Sequence, residues 1–291
     1  MRKPIIVWLI LSLIWGSTWL FIKIGLRDLP PVTFAGMRFV IAATFLVALI
    51  KVQRRRWPKT QHEWWMIALT GVMAFTVNYG LLFWGEQYTS SGLAAVLQAI
   101  IPAFGLLIAH YYLPGERITP AKIFGVVLGI VGVGIIFSNQ MSVEGPMALA
   151  GGAAIVLGAF SVAYSNVLVK ARCAKLDPAV LAAGQMICGL VPLMVIGIVW
   201  EGNPLKFRWT GQAILSLLYL AVIGSAFAFL LFYWLVRNMD VTKTMLISLV
   251  TPVIAVGLGM VTLGEILTWR IVAGTLCIIA GIGLIIFKKR T

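Results

Sequence analysis

The segment Gly115-Glu116-Arg117-Ile118-Thr119 recurs 149 residues later as Gly264-Glu265-Ile266-Leu267-Thr268, and this repetition is the main evidence for the fold. At the same offset, the glycine-rich run Gly132-Val133-Gly134-Ile135-Ile136 recurs as Gly281-Ile282-Gly283-Leu284-Ile285. Further matches at offsets of 147 to 150 pair Trp84 with Trp234, Pro102 with Pro252, Lys23 with Lys170, Pro31 with Pro178, and Arg38 with Gln185. Since the offset changes by only a few residues, the sequence indicates an internal duplication.

The composition identifies the class of protein in which this duplication occurs. Of the 291 residues, 61% are apolar and 11% are charged, and the mean hydropathy is +1.00. Soluble domains contain about 45–50% apolar and about 25% charged residues. The composition therefore excludes an ordinary soluble enzyme and a disordered or collagen-like chain, and it predicts an all-α membrane protein.

Ten apolar runs are each long enough for a membrane-spanning helix of about 20 residues, and short loops with charged, proline or glycine residues separate them. The predicted spans cover about residues 5–26, 32–50, 64–86, 90–112, 119–138, 147–169, 178–200, 212–236, 243–263 and 268–287. Of the 23 Lys and Arg residues, 17 fall on the side of the N-terminus and five on the other side, and Arg38 lies within a span. The positive-inside rule therefore predicts that both termini are cytoplasmic.

The duplication has a topological consequence. Residues 5–138 form one predicted repeat and residues 147–287 the second, and each repeat holds five spans. Because five is odd, the second repeat must be inserted upside down relative to the first. Inverted repeats of this kind are typical of secondary transporters, which bind their substrate near the midplane between the halves.

The residues that carry the repeat also resemble a known family. Trp15-Gly16-Ser17-Thr18 with Lys23, followed by Pro31 seven residues before Arg38, resembles the opening of an EamA-type half. The doubled pattern of a proline within a span, Gly-Glu-x-[Ile/Leu]-Thr and a glycine-rich helix is similar to the way in which each EamA half ends. The resemblance covers about residues 5–287 and points to the drug/metabolite transporter superfamily.

This resemblance carries expectations about fold and function. It implies ten transmembrane helices in two inverted five-helix repeats around a central cavity, with the fifth and tenth helices at the periphery. It also implies a secondary transporter of the bacterial inner membrane, not driven by ATP, that exports small metabolites by alternating access. Similar bacterial proteins include broad-specificity exporters of amino acids, notably aromatic ones. The second half departs from the pattern at Gln185, where the first half has Arg38.

Polar and aromatic residues at repeat-equivalent positions are the candidates for a substrate site, because a pseudo-symmetric site draws on matching places in both halves. Thr18 corresponds to Ser165, Gln98 to Ser248, and Tyr79 to Phe229. The predicted substrate-binding residues are Trp15, Thr18, Asn78, Tyr79, Gln98, Tyr164, Ser165, Phe229 and Ser248. Their hydroxyls, amides and rings suit the head groups and apolar side chain of an amino acid. The alternative for each Ser and Thr is a hydrogen bond to the backbone or to a neighbouring helix.

Other residues within or beside the spans allow more than one interpretation. Pro102 and Pro252, which remove a backbone hydrogen bond, are predicted hinges for alternating access, or else fixed kinks. Arg38 lies about 9 Å into its span at 1.5 Å per residue, where it snorkels to the interface, holds a backbone carbonyl or binds a substrate carboxylate. Glu116 and Glu265 are expected to cap helices or form ion pairs. The glycine-rich runs indicate close helix packing, within the fold or between protomers.

The placement of the acidic residues limits the cargo. All nine Asp and Glu residues lie in predicted loops or at helix ends. A proton-coupled exporter of cations usually needs a carboxylate inside the membrane. The sequence therefore favours a neutral or zwitterionic substrate, moved by facilitated diffusion or exchange, with nucleosides, sugars and drugs as alternatives to amino acids.

Other classes of protein fit the sequence less well. His62-Glu63-Trp64-Trp65-Met66 begins like a zinc-protease helix but lacks the second histidine, so a membrane-embedded enzyme is a distant alternative. Thr76-Val77-Asn78-Tyr79-Gly80 resembles a potassium filter but has Asn at a glycine position. The net charge of +14 lies in short clusters between apolar runs, which indicates membrane lipids and not nucleic acid as partners. No catalytic residue, metal or cofactor is expected, and the oligomeric state, for which a monomer is compatible with the sequence, stays open.

Overall fold

The computed structural model of the chain describes residues 2–86, 88–89, 91–138, 145–263 and 268–287. These residues form helices joined by short connections, and no β-strand occurs among them. In chain order the helices are α1 (Arg2–Gly25), α2 (Pro31–Val52), α3 (Gln61–Gly71, a π-helical segment Val72–Val77, and Asn78–Glu86), α4 (Ser91–Gln98 and Ile101–Tyr112), α5 (Pro120–Ile136), α6 (Gly145–Leu168 and a π-helical segment Val169–Cys173), α7 (Pro178–Glu201), α8 (Gly211–Ala221, a π-helical segment Val222–Phe227, and Ala228–Asn238), α9 (Val241–Met245 and Ile247–Leu263) and α10 (Trp269–Phe287).

These helices fall within a few residues of the apolar runs from which spans were predicted. Six of them, α1, α2, α3, α6, α7 and α8, are long and apolar enough to cross a bilayer. The remaining four contain shorter apolar helices of 10–17 residues. The chain is therefore an all-helical membrane protein with several spans.

Local sequence signals explain where several helices begin. The Thr60 hydroxyl accepts the backbone N–H of Glu63, whose carboxylate accepts the N–H of Thr60 in return, so the two form a capping box at the start of α3. The Asp177 carboxylate accepts the N–H of Ala179 at 2.9 Å at the start of α7. Pro178 follows Asp177 in the first turn, where its missing N–H costs no hydrogen bond.

Contacts at both ends fix α2 against α7. The Glu201 carboxylate, at the end of α7, accepts the backbone N–H groups of Val32 at 2.8 Å and Thr33 at 2.6 Å at the start of α2. Just beyond the other end of α2, Arg55 forms an ion pair with Asp177 at the start of α7. The two helices therefore run antiparallel, and each end of one is bonded to the opposite end of the other.

Glycines bring α5 and α10 into close contact. A Cβ atom added at Gly132 would lie 2.6 Å from the Gly274 carbonyl oxygen, and one added at Gly125 would lie 2.5 Å from that of Gly281. Only glycine allows two helix backbones to approach so closely. Of the two roles considered for the glycine-rich runs, these glycines therefore serve packing within the fold.

Two π-helical segments occupy equivalent places in α3 and α8, since Val222–Phe227 follows Val72–Val77 by 150 residues. A π-helical segment interrupts the regular helix ladder and leaves backbone groups in need of other partners. In α3 the Ser165 hydroxyl supplies one partner by donating to the Thr70 carbonyl at 2.8 Å. These segments did not feature among the sequence predictions.

The two prolines predicted as hinges differ in their local structure. Pro252 lies inside the helical segment Ile247–Leu263, as expected. Pro102 instead stands in the first turn of Ile101–Tyr112, directly after the break that follows Gln98. Pro102 therefore lies within its predicted span, next to a short break in α4, and its role as a hinge stays a prediction.

Candidate functional site

A cavity of about 220 Å³ lies between α1, α2, α3, α4, α6, α8 and α9. Within the described ranges, α5, α7 and α10 contribute no residue to its lining. Pockets for drug-sized ligands measure about 300–1,000 Å³. The volume found here lies below that range.

Aromatic rings form much of the cavity wall. The ring of Trp15 lies 5.6 Å from that of Phe229, edge to face, and 5.3 Å from that of Phe232. The indole Nε1 of Trp15 donates to the Gly224 carbonyl at 3.3 Å, in the π-helical segment of α8. This hydrogen bond fixes the orientation of the indole, so the ring presents a defined apolar surface to the cavity.

The polar residues of the lining divide into two groups. The hydroxyls of Thr18 and Ser248 donate to carbonyls of their own helices, of Trp15 at 2.6 Å and of Met245 at 3.0 Å. Asn78 Oδ1 and Gln98 Nε2 are buried, and no hydrogen-bond partner for either is found among the described residues. An unpaired buried polar atom costs free energy. A bound ligand that formed hydrogen bonds with these two amides would remove this cost.

Arg38 also lines the cavity, although its side chain is only 4% exposed. Its Nε–H donates to the Ser225 hydroxyl at 3.1 Å, again in the π-helical segment of α8. The guanidinium carbon lies 4.9 Å from the ring centroid of Phe39 and 5.5 Å from that of Tyr79. Arg38 is therefore too buried to snorkel to the interface, its hydrogen bond to α8 is made to a side-chain hydroxyl, no backbone carbonyl among the described residues accepts from it, and its group faces the cavity.

Most of the predicted substrate-binding residues come together at this cavity. Those that line it are Trp15, Thr18, Asn78, Tyr79, Gln98, Phe229 and Ser248, together with the predicted hinge Pro252. Two of the three repeat-equivalent pairs, Gln98 with Ser248 and Tyr79 with Phe229, are thus present with both members. Whether these residues bind a substrate stays a prediction.

Three predicted residues lie elsewhere. Ser165 is 1% exposed and faces α3, where it donates to the Thr70 carbonyl. The Tyr164 hydroxyl is 2.6 Å from that of Tyr112, outside the cavity lining. Pro102 does not line the cavity, whereas its neighbour Ile101 does. For Ser165 the alternative considered from the sequence, a backbone hydrogen bond to a neighbouring helix, describes its contact.

The candidate residues named from the sequence omit several that line the cavity. Besides Arg38, they include Phe83, Asn166, Phe232 and Tyr233. Helical spacing offered a signal for some of them: Phe232 and Tyr233 follow Phe229 by three and four residues, which places them on the same helix face. Asn166 directly follows Ser165, so composition alone could not distinguish the two.

Charged side chains hold together the helix ends on one side of the cavity. Glu116, just after α4, accepts the backbone N–H groups of Val241 at 2.8 Å and Thr242 at 3.3 Å at the start of α9. The Lys170 ammonium donates to the Met239 carbonyl at 2.9 Å, between α8 and α9. The expected capping role of Glu116 is thus found across two helices. Glu265, its repeat counterpart, lies outside the described residues.

Comparisons with known proteins agree with this arrangement. The EamA-like transporter family matches the chain twice, over residues 2–138 and 149–287. A solved crystal structure aligns with a TM-score of 0.84 and 19% identity, over 98% of this chain and 97% of the other. At this identity the likeness shows the fold alone.

Curated relatives carry transporter names. The uncharacterized transporter YoaV of Bacillus subtilis (strain 168) is 30% identical over 271 residues, which cover 93% of this chain and 92% of that protein. The uncharacterized inner membrane transporter YedA of Escherichia coli (strain K12) is 29% identical over 259 residues, which cover 89% and 82%. With a family match in both halves and a cavity enclosed by membrane helices, the chain is a multi-pass membrane transporter that belongs to the EamA-like transporter family.

Proposed function

We propose that the chain is a secondary carrier that exports amino acids, including aromatic ones, across the inner membrane by alternating access. The observation that carries this proposal is the cavity, which combines aromatic walls with the unpaired amides of Asn78 and Gln98 and the guanidinium of Arg38. Rings suit an apolar or aromatic side chain, and the polar atoms suit the groups on an α-carbon. The outward direction rests on the resemblance of the sequence to bacterial amino-acid exporters.

The architecture proposed for this carrier is ten membrane crossings in two inverted repeats, 5–138 and 147–287. The spacing of 150 residues between Val72–Val77 and Val222–Phe227 supports it. The antiparallel contact of α2 with α7, which are repeat-equivalent helices, gives further support. Opposed repeats supply the two alternative arrangements that alternating access requires.

The orientation proposed for the chain has both termini in the cytoplasm. It rests on the excess of Lys and Arg on the N-terminal side of the predicted spans. The name of the relative YedA, an inner membrane transporter, supports the choice of membrane. Anionic lipids are the proposed partners of the basic clusters.

A second candidate is the export of other neutral metabolites or drugs, such as nucleosides or sugars. The predominantly apolar and aromatic wall favours it, because such a wall accepts many apolar bodies. Exchange of a cationic drug for a proton is a poorer fit, since none of the described lining residues is Asp or Glu.

Uptake of labelled amino acids into proteoliposomes tests the proposal, with and without a proton gradient. We expect flux of several amino acids without a gradient, and its loss in Tyr79→Ala and Gln98→Ala. The matched controls are Tyr111→Ala and Gln212→Ala, which alter exposed residues outside the cavity and leave flux unchanged. No amino-acid flux under either condition would contradict the proposed cargo and direct the search to the second candidate.

A further inference from the structure

Within the described part of the chain, no acidic side chain balances the charge in the cavity. Among the described lining residues, Arg38 is the one charged side chain. The ion pairs found in the described part of the chain join Arg55 to Asp177 and Arg208 to Asp28, and neither involves Arg38. Burial of a charged group inside the membrane costs free energy unless the group is paired. Charged residues in such positions are usually functional.

The neighbours of the guanidinium leave room for a ligand. The Ser225 hydroxyl takes the Nε–H, and the rings of Phe39 and Tyr79 lie beside the group at 4.9 and 5.5 Å. Arginine has five N–H donors in a planar fork, of which the Ser225 hydroxyl takes one, and the Tyr79 side chain also forms a hydrogen bond with the group, so further donors are left for a ligand. The edge that carries the terminal nitrogens has the geometry that a carboxylate accepts with both oxygens.

A second donor faces the same cavity. Gln98 Nε2 is buried, and the described residues provide no acceptor for it. The repeat counterpart of Arg38 offers no competing cation, because it is Gln185, which is fully buried and donates to the Thr70 hydroxyl at 2.6 Å. Arg38 and Gln98 therefore both offer N–H donors to the cavity, and Arg38 adds a positive charge. A single anionic group bound next to α2 would accept from these donors.

We propose that Arg38 binds the carboxylate of the substrate, so that a carboxylate is required for recognition while the α-ammonium group is dispensable. This inference rests on the proposed function and narrows it to organic carboxylates with an apolar or aromatic body. The ammonium group is dispensable because no Asp or Glu appears among the described lining residues to balance its charge, and the unpaired acceptor left to it, Asn78 Oδ1, is neutral, whereas Arg38 offers a carboxylate a full opposite charge. The aromatic rings of Trp15 and Phe229 receive the body of the substrate.

Competitors that differ only at the α-carbon test this inference on the unmodified protein. Uptake of labelled L-phenylalanine into proteoliposomes is measured with unlabelled L-phenylalanine, 3-phenylpropionate, which lacks the ammonium group, or L-phenylalaninamide, which lacks the carboxylate. We expect 3-phenylpropionate to compete well and the amide to compete at least about tenfold more weakly, as loss of a charged hydrogen-bond partner implies. Equal competition by the amide would overturn the inference and leave amino-acid transport standing.

Thermal stabilisation of the purified chain by the same compounds separates the two proposals. Stabilisation by 3-phenylpropionate but not by the amide supports the inference even if no amino acid is transported, in which case the proposed function fails alone. If neither compound stabilises the chain and neither competes for uptake, the inference is overturned.

Substitutions of Arg38 test whether this residue causes the preference for a competitor that carries a carboxylate. Arg38→Gln is expected to abolish the preference for 3-phenylpropionate over the amide, and Arg38→Lys to retain part of it because the charge remains but the fork is lost. The matched control is Arg208→Gln, since that side chain is 79% exposed and lies outside the cavity. An unchanged preference in Arg38→Gln would overturn the assignment. If this variant fails to fold, the comparison of competitors on the unmodified chain and Arg38→Lys decides.

Discussion

Glu116 Oε1 accepts the backbone N–H of Val241 at 2.8 Å, so a side chain that follows α4 caps the start of α9, 125 residues away. The same carboxylate accepts the N–H and the hydroxyl of Thr242. A carboxylate at a helix start satisfies unpaired N–H groups and opposes the positive end of the helix dipole. The contact therefore joins the two helices that carry the repeat-equivalent residues Gln98 and Ser248.

Replacement of this cap is expected to destabilise the fold. Glu116→Ala should lower the free energy of unfolding by about 1–2 kcal/mol, because the N–H groups of a buried helix start lose their acceptor. Glu116→Gln keeps one acceptor and should cost about half as much. Thermal unfolding in detergent, compared between the two variants, measures both effects. Equal stability of Glu116→Ala and the unmodified chain would show that water replaces the carboxylate.

The close contact between α5 and α10 can be tested with two matched glycine substitutions. Gly132→Ala is expected to destabilise the chain by about 1–3 kcal/mol, because its Cβ would meet the Gly274 carbonyl at 2.6 Å. Gly134→Ala, two residues away, has nothing within 4 Å and should be neutral or slightly stabilising, since alanine favours the helix. Thermal unfolding of both variants in detergent measures the difference in stability between them. Similar unfolding midpoints would contradict close packing between α5 and α10.

Substitution of Ser165 distinguishes a structural from a substrate-binding role. Ser165→Ala should lower the free energy of unfolding by about 1 kcal/mol, because the Thr70 carbonyl beside the π-helical segment of α3 loses its donor. We expect the KM for transported amino acids to stay unchanged, whereas Gln98→Ala should raise it. The measurements are uptake kinetics and thermal unfolding on the same preparations. A raised KM in Ser165→Ala with normal stability would restore the prediction made from the sequence.

The two prolines are expected to differ as hinges. Pro252→Ala should slow transport several-fold while substrate affinity is retained, because alanine restores the helix hydrogen bond that the proline removes. Pro102→Ala should have a smaller effect, since a first-turn proline withholds no helix hydrogen bond. Turnover and binding of both variants are compared in proteoliposomes. An equal loss of turnover would indicate that the break before Ile101 depends on Pro102 itself.

The positions of the helices could be predicted from the sequence, but the faces they turn to the cavity could be predicted only in part. Apolar runs mark helices directly, because the bilayer requires apolar side chains over a fixed length. On α6, Ser165 and Asn166 are neighbours that differ by about 100° around the helix. Packing against α3 decides that Ser165 bonds to Thr70 and that Asn166 lines the cavity.

Arg38 illustrates a second limit of prediction from the sequence. Its depth in the span follows from counting residues, and depth alone is compatible with snorkelling, a carbonyl contact or a ligand. The direction of the side chain depends on the π-helical segment of α8, where Ser225 accepts its Nε–H. No composition signal marked this segment, so the role of the arginine could not be chosen before its partner was known.

The bonds at both ends of the α2 and α7 pair bear on what moves during a transport cycle. The hydrogen bonds of Glu201 hold α2 and α7 together at one end of the pair, and the Arg55–Asp177 ion pair holds them together at the other. Arg38 lies in α2, between these two points of contact. In the proposed transport cycle, the carboxylate site on α2 would therefore keep its position relative to α7 while the helices on either side of the cavity move.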